Sequence, residues 1–294
     1  MFNIKHLVLD VKAREYKVPK NIIGIDIGQT LTKCAYLKND EILLLIKPTN
    51  DTIDDIIKEI KNSSENINVI HFTGGKAYKI YKEYEKEYES IILDEFEANI
   101  NGMNFLYKIR KKKDFLNSLV VSIGTGTSIV LKSTHIQHLG GSAMGGGTFM
   151  AIVKLLYGLD DYNTIMDLAN KGDRYNVDLK VSDIYVEEDA RIKDYFRAFT
   201  AASLGKIYAS SDITVLRKED IITSLLGIIG ENIGLIATLF AEIHGVPEII
   251  FCGGLLMNNK ILKHMLTLMA KSKKKDAVFL KNSEFAGALG ALLS

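Results

Sequence analysis

Apolar residues fall into two rhythms along this chain. Short apolar runs at Ile22 to Ile27, Thr32 to Leu37 and Glu41 to Ile46 are parted by turn residues, with Asn39-Asp40 at the second turn, and predict three strands of an antiparallel meander. From Thr52 to Lys61 the positions Ile53, Ile56, Ile57 and Ile60 share one helical face. Val69 to Phe72 predicts a fourth strand ending in Thr73-Gly74-Gly75, followed by a helix, a short strand at Ile91 to Leu93 and a helix from Glu95 to Arg110.

The same order starts again about 100 residues later. Leu119 to Ile123 is an apolar strand, Gly124-Thr125-Gly126-Thr127 a turn, and Ser128 to Lys132 the return strand. Strand Glu248 to Cys252 with Gly253-Gly254, helix Lys260 to Ser272, strand Ala277 to Leu280 and helix Phe285 to Leu293 close the second unit. The expected fold is α/β, a duplicated βββαβα unit of the ribonuclease H type, and its order resembles the superfamily of actin, hexokinase and chaperone ATPases. The expected division is a polar, unpatterned N-terminal arm at 1–20, either an appended strand or a loose arm. A first lobe covers 21–116, and a second lobe covers 117–294 with a helical insert and a long helix. Leu225 to Ala241, split by Glu231 and Asn232, predicts a buried helix rather than a membrane span.

With 294 residues and 47 % hydrophobic content, the chain can fill two cores. Its 37 basic and 36 acidic residues nearly cancel, so no global field recruits nucleic acid or a membrane surface. The run Lys108, Arg110, Lys111, Lys112, Lys113 reads as a solvated helix end. Cys34 and Cys252 are too few for a disulfide framework and lack metal-site spacing; with no signal-peptide pattern near Met1, the expected compartment is the cytoplasm.

The chemistry begins at Ile23-Gly24-Ile25-Asp26-Ile27-Gly28-Gln29-Thr30-Leu31-Thr32-Lys33. An Asp ending a buried strand can orient hydrated Mg²⁺, a Gly turn brings N–H groups to phosphate, and a Thr and a Lys add a hydroxyl and a cation. Glu95 is the candidate general base, held rigid at a helix start. An N-terminal acid favoured by the helix dipole is the competing reading, which Asp94 and Glu97 fill equally, and the residues alone leave both open. Five glycines in eight residues, Gly140 to Gly147, precede a predicted helix Phe149 to Leu156 and suggest an anion cradle. His138, just ahead of them, is the one histidine suited to function. Phe105, Tyr107, Met265 and Met269 read as core.

Taken together, GIDIGQTLTK at 24–33, FTGGKA at 72–77, DEFEAN at 94–99, SIGTGTS at 122–128, GGSAMGGGTF at 140–149, GDRYNVDLKVSDIY at 172–185, Ala201 to Lys206 and FAGALGALL at 285–293 resemble the type II pantothenate kinases. The resemblance spans Ile22 to Leu293. It implies ATP-dependent phosphorylation of pantothenate to 4′-phosphopantothenate, the first step of coenzyme A biosynthesis, with ATP and Mg²⁺ as cofactors. Carried onto this chain, it implies Glu95 as the base, with Asp26, Ile27, Gly28, Gln29, Thr30, Leu31, Thr32 and Lys33 gripping the phosphates and Asp26 serving the metal. Thr125 would bond the transferred phosphate or ATP. Gly146, Gly147, Thr148, Phe149, Met150 and Tyr162 would line the nucleotide site, Gly253 and Gly254 would lie near adenosine, and Ser128 and His138 would face the substrate. It also implies a homodimer through a long helix, for which Ile221 to Ala241 is the candidate, and a coenzyme A or acyl-CoA ligand.

The chain departs from that pattern at Gln29, where a glycine is usual, and at His138, where an arginine is usual; imidazole offers one donor where guanidinium offers a charged pair. His138 motivates a rival, a kinase for another pantetheine-like or sugar alcohol. A non-catalytic regulator binding ATP or acyl-CoA is a second rival. A dehydratase activator with an interfacial iron–sulfur cluster is disfavoured, because Cys34 and Cys252 lie on or beside strands.

Overall fold

The apolar runs assemble into two sheets of one plan. The structure, a computed structural model, describes all residues except 1–4, 10, 12, 50–52, 64–66 and 210–215. Thr52, the expected first helical residue, lies outside the described residues. The first sheet contains β1 (Lys5–Leu9), β2 (Ile22–Ile27), β3 (Leu31–Lys38), β4 (Glu41–Pro48), β5 (Val69–Thr73) and β6 (Glu89–Ile92), in the order β1-β4-β3-β2-β5-β6. Its meander is antiparallel, while β2, β5 and β6 run parallel. Helices α1 (Ile53–Ser63) and α2 (Ala77–Tyr84) accompany β5, and α3 (Glu95–Lys111) follows β6.

The second lobe opens with the antiparallel meander β7 (Ser118–Ile123), β8 (Thr127–Lys132) and β9 (Ile136–Ser142). An insert follows: α4 (Gly146–Tyr157), α5 (Tyr162–Ala169), strand β10 (Leu179–Lys180), short helices α6 (Val181–Ile184) and α7 (Asp194–Arg197), strand β11 (Thr200–Ala202), α8 (Gly205–Ala209) and the long α9 (Lys218–Ile243). Then β12 (Glu248–Cys252), α10 (Lys260–Ser272), β13 (Asp276–Phe279) and α11 (Ala286–Leu293) complete the chain. The sheet order β13-β12-β7-β8-β9 repeats that of the first lobe strand for strand, β1 excepted.

Three buried clusters hold these layers. Ile23, Ile25, Ile56, Ile60 and Phe72 fill the outer side of the first sheet. Phe149, Ile165, Leu226, Phe251 and Leu266 fill that of the second under α4, α5, α9 and α10. Between the sheets lie α3 and α11, whose Ile100, Met103, Leu289 and Leu292 pack with residues of both. Though long and apolar enough by composition to cross a membrane, α9 has 61 % of its most apolar window buried in this core.

Three expectations need correction. Within 1–20, expected as an appended strand or a loose arm, the appended strand is found, with β1 at the sheet edge on β4; the stretch is not unpatterned, however, since Leu9, Ala13 and Val18 join the core between the sheets. Assigned by sequence order to the second lobe, α11 packs on α3 and β2 of the first. The helices meet through glycines, since a methyl at Gly290 would lie 1.8 Å from the Ala98 carbonyl oxygen and one at Gly102 1.9 Å from that of Ala286. His71 of β5 ties in the same helix by a 2.8 Å hydrogen bond between Nδ1 and the Ala291 carbonyl. Finally, Gly140 and Gly141 stand apart from the expected cradle ahead of the helix: they belong to β9, where the register on β8 shifts and Gly140 takes a left-handed φ of +137°. The helix then starts at Gly146, three residues earlier than expected.

Candidate active site

Two hairpin turns face each other where the lobes meet. In the first, the Gly28 N–H donates to the Leu31 carbonyl at 3.1 Å, and Thr49 braces the turn, its hydroxyl donating to the Gly28 carbonyl at 2.9 Å. In the second, the Gly124 N–H donates to Gly126, while the Gly146 and Gly147 N–H groups donate to the carbonyls of Gly124 and Thr125 at 2.7 and 2.9 Å. Those two amides therefore anchor the turn on the start of α4 and do not serve as free anion donors. The turns touch through the hydroxyls of Thr30 and Thr125, 3.2 Å apart.

Between them opens a cleft of about 490 Å³. Of the residues singled out from sequence, Asp26, Gly28, Gln29, Thr30, Leu31, Lys33, Glu95, Thr125, Ser128, Gly146, Gly147, Met150, Tyr162, Gly253 and Gly254 line it. Five do not. Strand alternation turns Ile27 and Thr32, paired across β2 and β3, away from the face that carries Asp26 and Lys33, and both are buried. Phe149 is buried in the second lobe's core, Thr148 donates its hydroxyl to the Ala143 carbonyl, and His138 stacks on Phe96 outside the lining. Conversely, Gly75, Phe96, Asn99, Ser122, Gly124, Gly126, Thr127, Leu255, Ser283 and Glu284 line the cleft unpredicted. Most belong to the quoted motifs, and Phe96 and Asn99 stand one and four residues after Glu95, within reach of a helical reading. Ser283 and Glu284 precede α11 and carry no local signal.

The acids of 94–97 separate by role. Asp94 caps α3, its carboxylate accepting from the Phe96 and Glu97 N–H groups at 2.9 and 3.0 Å. Glu95 and Glu97 are both exposed, but only Glu95 lines the cleft. The enclosing walls, then the neighbouring Asp26 charge, push the Glu95 carboxyl above its usual range; Lys33 opposes them. Asp26 itself is buried and accepts from Lys33 Nζ at 3.0 Å. Backbone crowds it closely: side chains at Gly74 and Gly287 would come within 2.5 Å of its Oδ1 and 2.9 Å of its Cγ.

Asp26 suits Mg²⁺ that is shared with a nucleotide, because that cation takes one or two carboxylates and completes its shell with phosphate and water oxygens. Among the described residues no cluster of three or more His, Cys, Asp or Glu offers an all-protein cage. Tyr162 presents its ring to the cleft while its hydroxyl lies 2.9 Å from the carbonyls of Leu255 and Met257, and its burial pushes the phenol up. Cys34 and Cys252 are buried core residues of β3 and β12, and burial raises both thiols.

Residues 39–294 match the family model Fumble. The type II pantothenate kinase of Bacillus anthracis is 34 % identical over 276 residues, covering 93 % of this chain and 97 % of that one. That of Oceanobacillus iheyensis is 32 % identical over 272 residues, covering 92 % and 98 %. Among solved structures, the activator of 2-hydroxyisocaproyl-CoA dehydratase from Clostridium difficile with bound ADPNP superposes with TM-score 0.61 at 15 % identity, over 92 % of both chains. The ethanolamine utilization protein EutJ from Carboxydothermus hydrogenoformans gives 0.56 at 12 %, over 94 % of this chain and 90 % of that one. These two likenesses concern the fold alone.

Proposed function

The chain belongs to the type II pantothenate kinase family, and on that premise we propose that it transfers the γ-phosphoryl group of ATP to the 4′-hydroxyl of pantothenate, with Glu95 as proton acceptor. The alcohol oxygen bonds to the γ-phosphorus as the bond to the β–γ bridging oxygen breaks, ADP leaves, and the hydroxyl proton passes to the Glu95 carboxylate. The reading rests on one observation, the contact of the two hairpin turns at Thr30 and Thr125 above a cleft whose wall carries Glu95. The Thr30 and Thr125 hydroxyls are donors for phosphate oxygens, and Lys33 balances Asp26. Asp26 is the residue to hold Mg²⁺ with the phosphates, and the bound ion supplies neutralisation of charge on the phosphoryl oxygens.

The test is ADP release by the purified protein with ATP and Mg²⁺, with and without pantothenate. Pantetheine and a sugar panel run beside it. Stimulation by pantothenate supports the reading; stimulation only by another alcohol, or nucleotide binding without turnover, overturns it.

We also read α9 as the contact with a second copy. Leu235, Leu239 and Ile243, four residues apart, stay 45 %, 45 % and 75 % exposed on one side of it. Light scattering should return twice the 32.8 kDa of one chain, and a polar substitution at Leu239 should lower it. The cytoplasm is the compartment that suits two unpaired, buried thiols.

A further inference from the structure

In pantothenate the carbon bearing the 4′-hydroxyl is attached to a quaternary carbon with two methyl groups. A site that holds this hydroxyl against Glu95 must therefore meet an apolar bulge immediately beside it, whereas a sugar would present further hydroxyls there. Phe96 follows Glu95 in the chain and lines the same cleft. Its ring is held from outside: the imidazole of His138 lies against it with centroids 4.3 Å apart and planes 16° from parallel. Phe96 belongs to α3 of the first lobe and His138 to β9, the edge strand of the second, so the stack ties the wall beside Glu95 to both lobes.

We infer that Phe96 is the specificity surface for the dimethyl carbon of the acceptor, and that His138 is a positioning residue acting through the Phe96 ring rather than a charge for the substrate. The inference rests on the pantothenate reading above. An aromatic face offers no hydrogen bond to a sugar hydroxyl and loses none to a methyl group, so it selects by burial. A stack requires a flat ring and no proton. His138 thus keeps a role at a position outside the cleft lining, where an arginine would have been expected to touch substrate.

The experiment compares kcat/KM for pantothenate and for an analogue carrying hydrogens in place of both methyl groups. The wild-type enzyme should prefer pantothenate by roughly 10- to 200-fold, the range for small apolar groups in a fitted pocket, and Phe96→Ala should cut that preference to about threefold or less. Phe96→Leu, which keeps an apolar surface, should retain most of it. His138→Ala should lose part, and His138→Phe should restore it. General damage from any of these changes would lower both substrates together and leave the ratio alone. A wild-type ratio in Phe96→Ala, or a His138→Phe enzyme no better than His138→Ala, overturns the inference while leaving the kinase reading intact. A wild-type enzyme that phosphorylates neither substrate overturns both.

Discussion

Gly290→Ala tests whether the packing of the two central helices sets the position of the base. A methyl at 290 would stand 1.8 Å from the Ala98 carbonyl oxygen, and real Cβ atoms essentially never come closer than 3.0 Å, so α11 and α3 must part by at least 3.0 − 1.8 = 1.2 Å. The contact is side chain on backbone, and no rotamer change relieves it. Overpacking costs about 1–3 kcal/mol, and a contact on backbone of this kind stands at the upper end, about 3 kcal/mol; against about 1 kcal/mol recovered by replacing glycine in a helix, the net loss is about 2 kcal/mol. With an unfolding entropy of about 2.1 cal/mol/K per residue, that is a fall of roughly 3 °C in the melting temperature of a chain of this size. Ala98 lies one turn from Glu95, so the same displacement moves the carboxylate relative to the hairpins, and a misplacement of ~1 Å costs on the order of a hundredfold in turnover. Scanning fluorimetry and steady-state kinetics measure the two effects. Gly230→Ala provides the comparison, because its methyl would crowd Met265 on α10, within the second lobe's outer layer; it should lower the melting temperature and leave kcat unchanged. A Gly290→Ala enzyme with wild-type melting and turnover would refute the packing argument, and one that melts early with normal kcat would sever packing from catalysis.

Glu95→Gln should keep ATP affinity, measured calorimetrically, and lose at least about a hundredfold in kcat, while the amide variants of Asp94 and Glu97 should remain active. Because the folded state raises the Glu95 pKa, folding favours its protonated form: that stability is present in acid and lost as pH rises through the folded pKa. Glu95→Gln should therefore melt higher than wild type at neutral pH, with the gain shrinking on acidification; a variant less stable at pH 7 contradicts the shift. Since the base must be ionised, the acid limb of the pH–rate profile should fall above the ordinary glutamate range. Asp26→Asn, by removing a charge that raises Glu95, should move this limb to lower pH while raising the Mg²⁺ concentration needed for half-maximal rate. An unmoved limb and unchanged Mg²⁺ dependence would make Asp26 a strand-end residue only.

What the sequence determined by itself is local. Strand runs, the helical face of Ile53 to Ile60 and the repeated strand–turn–strand unit are written in neighbouring residues, because backbone periodicity and turn chemistry act over a few positions. That is why the duplicated fold and the two hairpins were legible. Tertiary structure decided the matters that depend on direction and distance. Asp94, Glu95 and Glu97 are equivalent in a string of letters, and only the capping bonds of Asp94 and the cleft on one side of α3 separate them. Ile27 and Phe149 sit inside the predicted motifs, yet strand alternation and the inward face of α4 bury them. Thr30 meets Thr125 across 95 positions, and α11 returns from the end of the second lobe to lie on β2. Such contacts arise when separate apolar surfaces are buried against one another, and no neighbouring residue records which surface that will be.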